Sequence, residues 1–585
     1  MKHLELNPDT PVCEALNIVE QRVCNSSTYH GLKATLFPTD FWVYQELIFQ
    51  LAPDIVIMSG ELSSGTLLAV GHMLQTAGGG RLIVVHTGRD NISEDVLSVV
   101  KTTFLQGSME GHYKEVAGLI GADDQVLMIH RSSTSGDSLQ ASLKMYGTLI
   151  TEGSYLILEK TPDVAYGAFT LAVDAFLLDN RYFRVDRSRE PFVITSNPRG
   201  YLRRTGAEEL PGRDRKQSAP FRKGLNAGII SCNVTDKNGS VLSEIDDLEE
   251  FNVHLECAFI RKIEDPVFCL AITDEAGEII DYYNSRYAGI ETGTTGPNET
   301  VSITFEVQNS FEKGEILIAA TIVSSDEKEV FDLKEKLAIL TVAYPFRSRR
   351  RCIQMRPLRY IEDIMDISVK RLIPVIHYRL LARSVYAGIK TIKAPFDFWI
   401  YQEIISEIKP DVIIEIGNAY GGSTLALAHI LDRAGRGRII GIDHDHEFVP
   451  QTVRDHPRIT LITGDACNTV SRVKELIKAG ESVLIIEDSS HAYDNTVNVL
   501  LTFAPLVTEG SYFIVEDSIF HHGLDSGPMP GPFEAIREFV DRNDEFLIDR
   551  NKEAFFLTWN PTGYLRRVEG KQSALCHNGN QIREP

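Results

Sequence analysis

Between residues 388 and 570 short apolar runs alternate with amphipathic stretches. DVIIEIG (411–417), RIIGIDHD (438–445), ITLITGDA (459–466), SVLIIEDSS (482–490) and YFIVEDS (512–518) are runs rich in branched residues, each with an acid at or just beyond its end. Their length and boundaries predict buried strands. TLALAHILDRAG (424–435) reads as a helix stopped by Gly435. Strands alternating with helices imply an α/β fold, a parallel sheet covered on both faces. Residues 220–345 carry another pattern. IISCNVT, FNVHLECAFI, VFCLAIT, EIIDYYN, TVSITFEV, EILIAATIV and LAILTVA are short and rich in β-branched and aromatic residues, with DKNG (236–239) and DEAG (274–277) as turns. That spacing predicts an all-β sandwich. A basic linker, FRSRRRCIQMRPLRY, follows, and then a helical stretch to about 387.

The α/β pattern occurs twice. PTDFWVYQELI at 38 and PFDFWIYQEII at 395 differ at three of eleven positions, an offset of 357 (395 − 38). Pro53 and Pro410 open the next matching segments, and TEGSYLILEK at 151 matches TEGSYFIVED at 508, all 357 apart. NPRGYLRR at 197 and NPTGYLRR at 560 are 363 apart, so the second copy gains about six residues near the Gly/Pro-rich HHGLDSGPMPGPFEA. The expected organisation is an N-terminal segment (1–28), copy A (29–208), the sandwich (220–345), a basic linker and helix (346–387), copy B (388–570) and a tail (571–585).

Composition narrows the function classes. The 585 residues are 43% hydrophobic and 24% charged, ordinary for globular domains, with a formal net charge of −22. Such acidity argues against nonspecific nucleic-acid binding. The eight cysteines are scattered without a CxxC pair, which suits a reducing cytoplasm and not a cysteine zinc site. The start lacks the apolar core of a signal peptide, and no run of about 18 apolar residues predicts a membrane span.

Candidate chemistry gathers at the strand ends of copy B, where open α/β sheets bind ligands. The first turn runs from Glu415 through Gly417 to Gly421 and Gly422. Glycines there allow a ligand to approach the backbone at a helix N-terminus. No GK[ST] follows, so a P-loop is excluded. An acid before the first glycine suits a ligand with a positive end. Asp443 ends the second strand, 28 residues on (443 − 415), where a carboxylate can accept both ribose hydroxyls. Asp465 follows the third strand, where a base edge can be read. Together these suggest S-adenosylmethionine; the alternative is a structural turn. Asp488 ends the fourth strand, and Glu516 and Asp517 end the fifth. Three converging carboxylates repel unless a cation joins them, and oxygen donors suit Mg²⁺ or a similar hard ion. The alternative is that these acids cap helices. His491 is a candidate general base or substrate contact, or a structural histidine. His521 and His522 are further candidates for the same mouth.

EIGNAYGGST, GIDHD, HPRITLITGD, IIEDSSHAYDN, APLVTEGSYFIVED, GPMPGPFEAIREF and FFLTWNPTGYLRR resemble the cephalosporin hydroxylase-like methyltransferases, a family that includes bacterial rhamnosyl O-methyltransferases. The resemblance covers roughly 390 to 567. It implies a Rossmann-like class I S-adenosylmethionine-dependent fold with a seven-stranded sheet. It also implies Asp488, Glu516 and Asp517 as Mg²⁺ ligands, and Glu415, Gly417, Asp443 and Asp465 as cofactor contacts. The insert resembles the immunoglobulin-like, glycan-binding sandwich of O-antigen ABC-transporter ATPase subunits, on its strand–DKNG–strand opening and VFCLAITDEAGEIIDYYNS.

Copy A departs from copy B at these positions. Met58 stands for Glu415, His86 for Asp443, Ser108 for Asp465, Arg131 for Asp488, Thr134 for His491 and Lys160 for Asp517; only Glu159 keeps its acid, opposite Glu516. Copy A reads as a catalytically dead paralogue that packs on copy B or mimics half of a dimer. The alternative is an anionic ligand at Arg131 and Lys160. The expected activity is a metal-assisted O-methyltransferase acting on a sugar hydroxyl of a surface glycan or glycolipid precursor, cytoplasmic, with homo-oligomerisation open. The rival readings are methylation of a small secondary metabolite, and a non-catalytic glycan-binding or assembly protein.

Overall fold

The computed structural model describes residues 9–569 apart from short internal stretches, the longest being 206–226, 338–349 and 356–363. Copy B opens with helix α1 (Pro395–Ile408), which has Pro395 in its first turn and ends at Lys409 in the left-handed region. Strands β1 (Val412–Ile416), β2 (Arg438–Asp443), β3 (Ile459–Thr463), β4 (Val483–Glu487) and β5 (Tyr512–Val515) are parallel. Strands β6 (Phe546–Ile548) and β7 (Tyr564–Arg567) complete the sheet, with β7 antiparallel to both neighbours. The order is β3-β2-β1-β4-β5-β7-β6. Helix α2 (Gly422–Arg433) follows β1, α3 (Ala466–Leu476) follows β3 and α4 (Tyr493–Phe503) follows β4. The chain reverses its direction of growth at β1, so the carboxyl ends of β1, β2, β4 and β5 border one crevice. Ile414, Ile440, Ile485 and Phe513 are fully buried at their core.

Copy A has the same seven-stranded order, from Lys101–Gln106 at one edge to Phe183–Val185 at the other. The repeat also begins one helix earlier than the motifs suggested. Val12–Ser26 and Val369–Arg383 are matching helices (369 − 12 = 357), and Val12 and Val369 are both fully buried. These helices share few identities, so only their apolar stripe is held in common.

The two copies form one compact unit, Met1–Ala207 with Arg379–Pro585. Their seam has an approximate two-fold character. Trp42 meets Phe398 edge-on at 5.1 Å, and Phe41 meets Trp399 at 5.4 Å, each pair being the other's mate at the 357 offset. Gln45 donates to the Val385 carbonyl (2.7 Å) and accepts from the Ala387 N–H (3.2 Å). Gln402 does the same with Thr28 (2.6 Å) and His30 (3.1 Å). The same patch used from both sides is an isologous interface, here within one chain.

Glu208–Tyr378 forms the second unit. Two four-stranded sheets share one core, with Val253, Leu255, Ile303 and Phe305 from one and Phe268, Leu270 and Ile322 from the other. The sequence reading ended the sandwich at 345 and began a linker at 346. In the structure Arg350–Met355 is a strand parallel to Glu299–Gln308 at the edge of its sheet. Its arginines hid the strand pattern, and edge strands tolerate charge. The DEAG turn and most of LAILTVA lie outside the described residues.

Candidate functional site

The cofactor-side residues surround the β1–α2 turn. Glu415 is fully buried; its Oε2 accepts from Thr424 Oγ1 (2.5 Å) and Asn418 Nδ2 (2.9 Å), while its Oε1 has no partner. An orphaned buried carboxylate oxygen is costly unless a ligand meets it. Asp443 Oδ2 accepts the N–H groups of Asn418 (2.8 Å) and Ala419 (2.9 Å), and Oδ1 accepts that of His444 (2.7 Å). Asp443 thus holds the turn and keeps lone pairs toward solvent. Asp465 caps α3, accepting from the Asn468 N–H at 2.9 Å. Ser108 caps the matching helix in the same way at 3.2 Å, so this exchange preserves a cap.

The glycines divide into two groups. Gly417 has φ +90°, and a Cβ there would stand 1.9 Å from the Asp488 carbonyl oxygen; Gly60 in copy A shows the same approach to Arg131. Gly422 and Gly65 also both lie against backbone of the segment that precedes Pro395–Ile408 and its copy A counterpart, at Lys390 and at Leu32 and Lys33. These two positions serve strand and helix packing in either copy. Gly421 alone is particular to copy B: it caps α2 at φ +80°, where copy A has Ser64.

At the β4 and β5 ends, Asp488, Glu516 and Asp517 converge. Donor atoms of Asp488, His491 and Asp517 lie within 4.8 Å of one another. His491 Nε2 is 3.3 Å from Asp517 Oδ2 and 3.9 Å from Asp488 Oδ1. Burial pushes the Asp517 carboxyl up to about 6, against the pull of Lys393. Burial lowers the His491 imidazole, so the ring is neutral near pH 7 and can take a proton. His491 and Asp517 both sit at positive φ (58° and 55°), and Asn560 Oδ1 holds the Asp517 N–H at 3.0 Å. Left-handed backbone at two non-glycine residues is strain concentrated at this edge. His521 bonds the Gly527 carbonyl (3.1 Å), and His522 pairs with Glu534 (2.6 Å) and stacks on Phe533, so both organise the Gly/Pro loop.

Sequence reasoning missed Lys393. Its ammonium, 4% exposed, bridges Asp488 and Glu516. Burial alone would lower this lysine, but the two carboxylates outweigh it and hold the ammonium charged. Asp488 and Glu516 are therefore both engaged by this side chain, while Asp488 and Asp517 also face His491. The one available signal was that copy A has Leu36 at the matching position.

Beneath this edge Glu487 is 2% exposed. Its Oε1 accepts from Ser489 (2.6 Å) and its Oε2 has no partner. Burial raises its carboxyl to about 8. The unfolded chain releases this proton near pH 4.3, so stability is lost as pH rises from there toward 8. Glu487→Gln is expected to raise the melting temperature at pH 8 and to change it little at pH 4, as thermal scans at the two pH values would show.

Copy A has dismantled the edge. Arg131, 6% exposed, donates to Glu159 (3.1 Å) and to the Thr35 carbonyl (3.0 Å), while Tyr44 donates to the other Glu159 oxygen (2.6 Å). Lys160 pairs with Glu20 at 3.1 Å. Met58 is fully buried, and His86 Nδ1 lies 2.8 Å from the Gly60 carbonyl. Thr134 lies outside the described residues. The cation has moved from the segment before the first helix to the strand end, and its pairing fills the space.

Copy B thus presents a Rossmann-like α/β domain with acid-tipped strands, and copy A the same fold with Glu159 alone kept of the acids compared. A family model described as Rhamnosyl O-methyltransferase/CmcI matches residues 21–205 and again 379–568, and a Wzt C-terminal domain model matches 224–352. The chain belongs to the Rhamnosyl O-methyltransferase/CmcI family, with its domain present twice. Rhamnosyl O-methyltransferase of Mycobacterium tuberculosis (strain H37Rv) is 32% identical over 194 residues, 32% of this chain and 78% of the relative. That of Mycobacterium leprae is 31% identical over 199 residues, 32% of this chain and 83% of the relative. A solved CmcI Mg-SAM structure shares 27% identity with a TM-score of 0.27, covering 31% of this chain and 75% of that one.

Proposed function

We propose that copy B carries out S-adenosylmethionine-dependent O-methyl transfer to a sugar hydroxyl of a glycan or glycolipid. In this reading copy A is a non-catalytic partner and the sandwich grips the acceptor. The observation that carries it is the contrast within one fold: in copy B two carboxylates, Asp488 and Asp517, face His491 beside the Lys393–Glu516 pair, whereas in copy A Arg131 and Lys160 replace both of those acids and only Glu159 remains, paired with Arg131. The cofactor supplies an electrophilic methyl group. Glu415 Oε1, Asp443 and the turn it holds suit the cofactor's positive end and its ribose hydroxyls; Asp465 lies where its base would be read. Asp488 and Asp517, with His491 and Glu516 beside them, would hold a divalent cation, which supplies Lewis acidity toward the acceptor oxygen. His491 can take the acceptor's proton on the ring nitrogen turned away from the carboxylates, and Asp517, 3.3 Å from Nε2, then stabilises the imidazolium. Alignment of the acceptor with the methyl carbon accounts for most of the rate gain.

The relatives' named activity makes rhamnosyl acceptors the class to screen first. No described helix is long and apolar enough to cross a membrane. A cytoplasmic location fits the eight scattered cysteines, which include no CxxC pair. The internal seam already supplies the contact that a homodimer would otherwise make.

Calorimetric titration with S-adenosylmethionine, with and without Mg²⁺, tests the reading. One site per chain is expected. Asp443→Ala should weaken binding about 30-fold, or about 2 kcal/mol, for the loss of a charged hydrogen-bond acceptor. Two sites would overturn the assignment of copy A. No binding would leave a non-catalytic glycan-binding protein.

A further inference from the structure

His72 and His429 occupy matching positions in the two copies (429 − 72 = 357), and each Nδ1 is engaged by a tyrosine of its own copy, Tyr29 at 3.2 Å and Tyr386 at 3.1 Å. Between them lies a cavity of about 460 Å³ lined by both histidines, Gln75, Thr76, Asp432 and Arg433. Around these histidines the copies diverge. Copy A has Gln75 and Val99 where copy B has Asp432 and His456. The fold therefore does not require an acid and a second imidazole at these places.

Asp432 lies one turn beyond His429 on α2, so the two share a helix face. His456 follows the short helix Gln451–Arg454; its Nε2 is 3.1 Å from Asp432 Oδ2, and its ring is 5.6 Å from that of His429. One ligand atom from each residue falls within 4.8 Å of the others. Nitrogen and oxygen donors at about 2.0–2.1 Å from one tetrahedral ion stand roughly 3.3 Å apart, so side-chain adjustment alone closes the set.

We propose that His429, Asp432 and His456 bind a borderline divalent cation of the Zn²⁺ class at the seam between the copies, apart from the oxygen-rich edge at Asp488. Two imidazoles and one carboxylate select such an ion over Mg²⁺. The surroundings orient two of the donors, while His456 Nδ1 accepts the Arg458 N–H at 3.3 Å, a long bond given up when Nε2 takes the ion. Tyr386 occupies His429 Nδ1 and leaves Nε2 for the ion. Arg458 Nε holds Asp432 Oδ1 at 2.5 Å and leaves Oδ2. Three protein donors leave a fourth position, and His429 and Asp432 both face the cavity, so water or a small anion completes the shell there. Arg433 is turned toward copy A, bonding Tyr29 (2.8 Å) and Thr76 (2.9 Å). Its charge and that of Arg458 weaken cation binding at this site. The ion ties α2, whose first turn bears Gly422, to the segment entering β3.

The test uses the full chain stripped with chelator and titrated with Co²⁺, whose visible absorption reports tetrahedral nitrogen ligation, with Zn²⁺ competition and metal analysis. One Co²⁺ per chain is expected, displaced by Zn²⁺ and retained in the Asp488→Asn/Asp517→Asn double variant. His456→Ala and, separately, Asp432→Asn should weaken it at least 100-fold while S-adenosylmethionine binding persists, which shows that the variants fold. No tetrahedral Co²⁺ spectrum in the wild type, or a spectrum unchanged in both single variants, overturns the proposal.

Discussion

Lys393→Met is expected to destabilise the metal-free protein by about 3–5 kcal/mol, and millimolar Mg²⁺ to restore much of that loss. The basis is a buried charge balance. Lys393 is the cation between Asp488 and Glu516, and Glu516 is 7% exposed. Removing one partner of a buried ion set costs about this much because the remaining charges are left uncompensated. Methionine fills a similar volume, so the effect is electrostatic and not a cavity. The carboxylates would respond by binding protons, which makes the deficit larger at pH 8 than at pH 5. Urea unfolding in EDTA and in Mg²⁺ separates the outcomes. Wild-type stability in EDTA would show that the ammonium does not balance this edge. A deficit insensitive to Mg²⁺ would show that the edge does not take a hard cation.

Asp488→Asn is expected to lower methyl transfer by about 10³-fold while changing S-adenosylmethionine affinity less than twofold. Loss of a single preorganised electrostatic group in a catalytic site costs about 10²–10³ in rate. The amide keeps the shape of the carboxylate, and Lys393 keeps Glu516 as its partner, so the fold should survive. The Asp488 backbone abuts Gly417, but its carboxylate meets Lys393 and His491 and not the turn held by Asp443, so under the proposed function binding and turnover should separate. Rates with methyl rhamnoside or rhamnose-terminated oligosaccharides, alongside calorimetry, provide the check. A loss below tenfold would remove Asp488 from the chemistry, and loss of cofactor binding would move it to the cofactor side.

Several features were legible in the sequence alone. The 357-residue register placed both sheets, because strand ends separated by whole βα units fall at one edge of a parallel sheet. The charge reversals at Arg131 and Lys160 were readable for the same reason. The glycines were less informative than they looked. Gly417 and Gly422 have counterparts in copy A that meet the same steric need, so their presence says nothing about a ligand. Asp465 and Ser108 are both good helix caps, so that exchange is silent as well. The Arg350–Met355 strand was hidden because an edge strand can carry charges that a central one cannot.

By itself the sequence determined the tandem α/β architecture, the strand-rich insert and the acids at the strand ends of copy B. Each depends on local periodicity or on matching spacing, which a linear chain records directly. Only the tertiary structure decided that Lys393, 95 residues before Asp488, stands between two of those acids. It alone paired Trp42 with Phe398 and Phe41 with Trp399, and brought His456 to His429 beside the cavity. These contacts join segments that no periodicity links, through side chains whose meaning depends on the charges and rings they meet after folding.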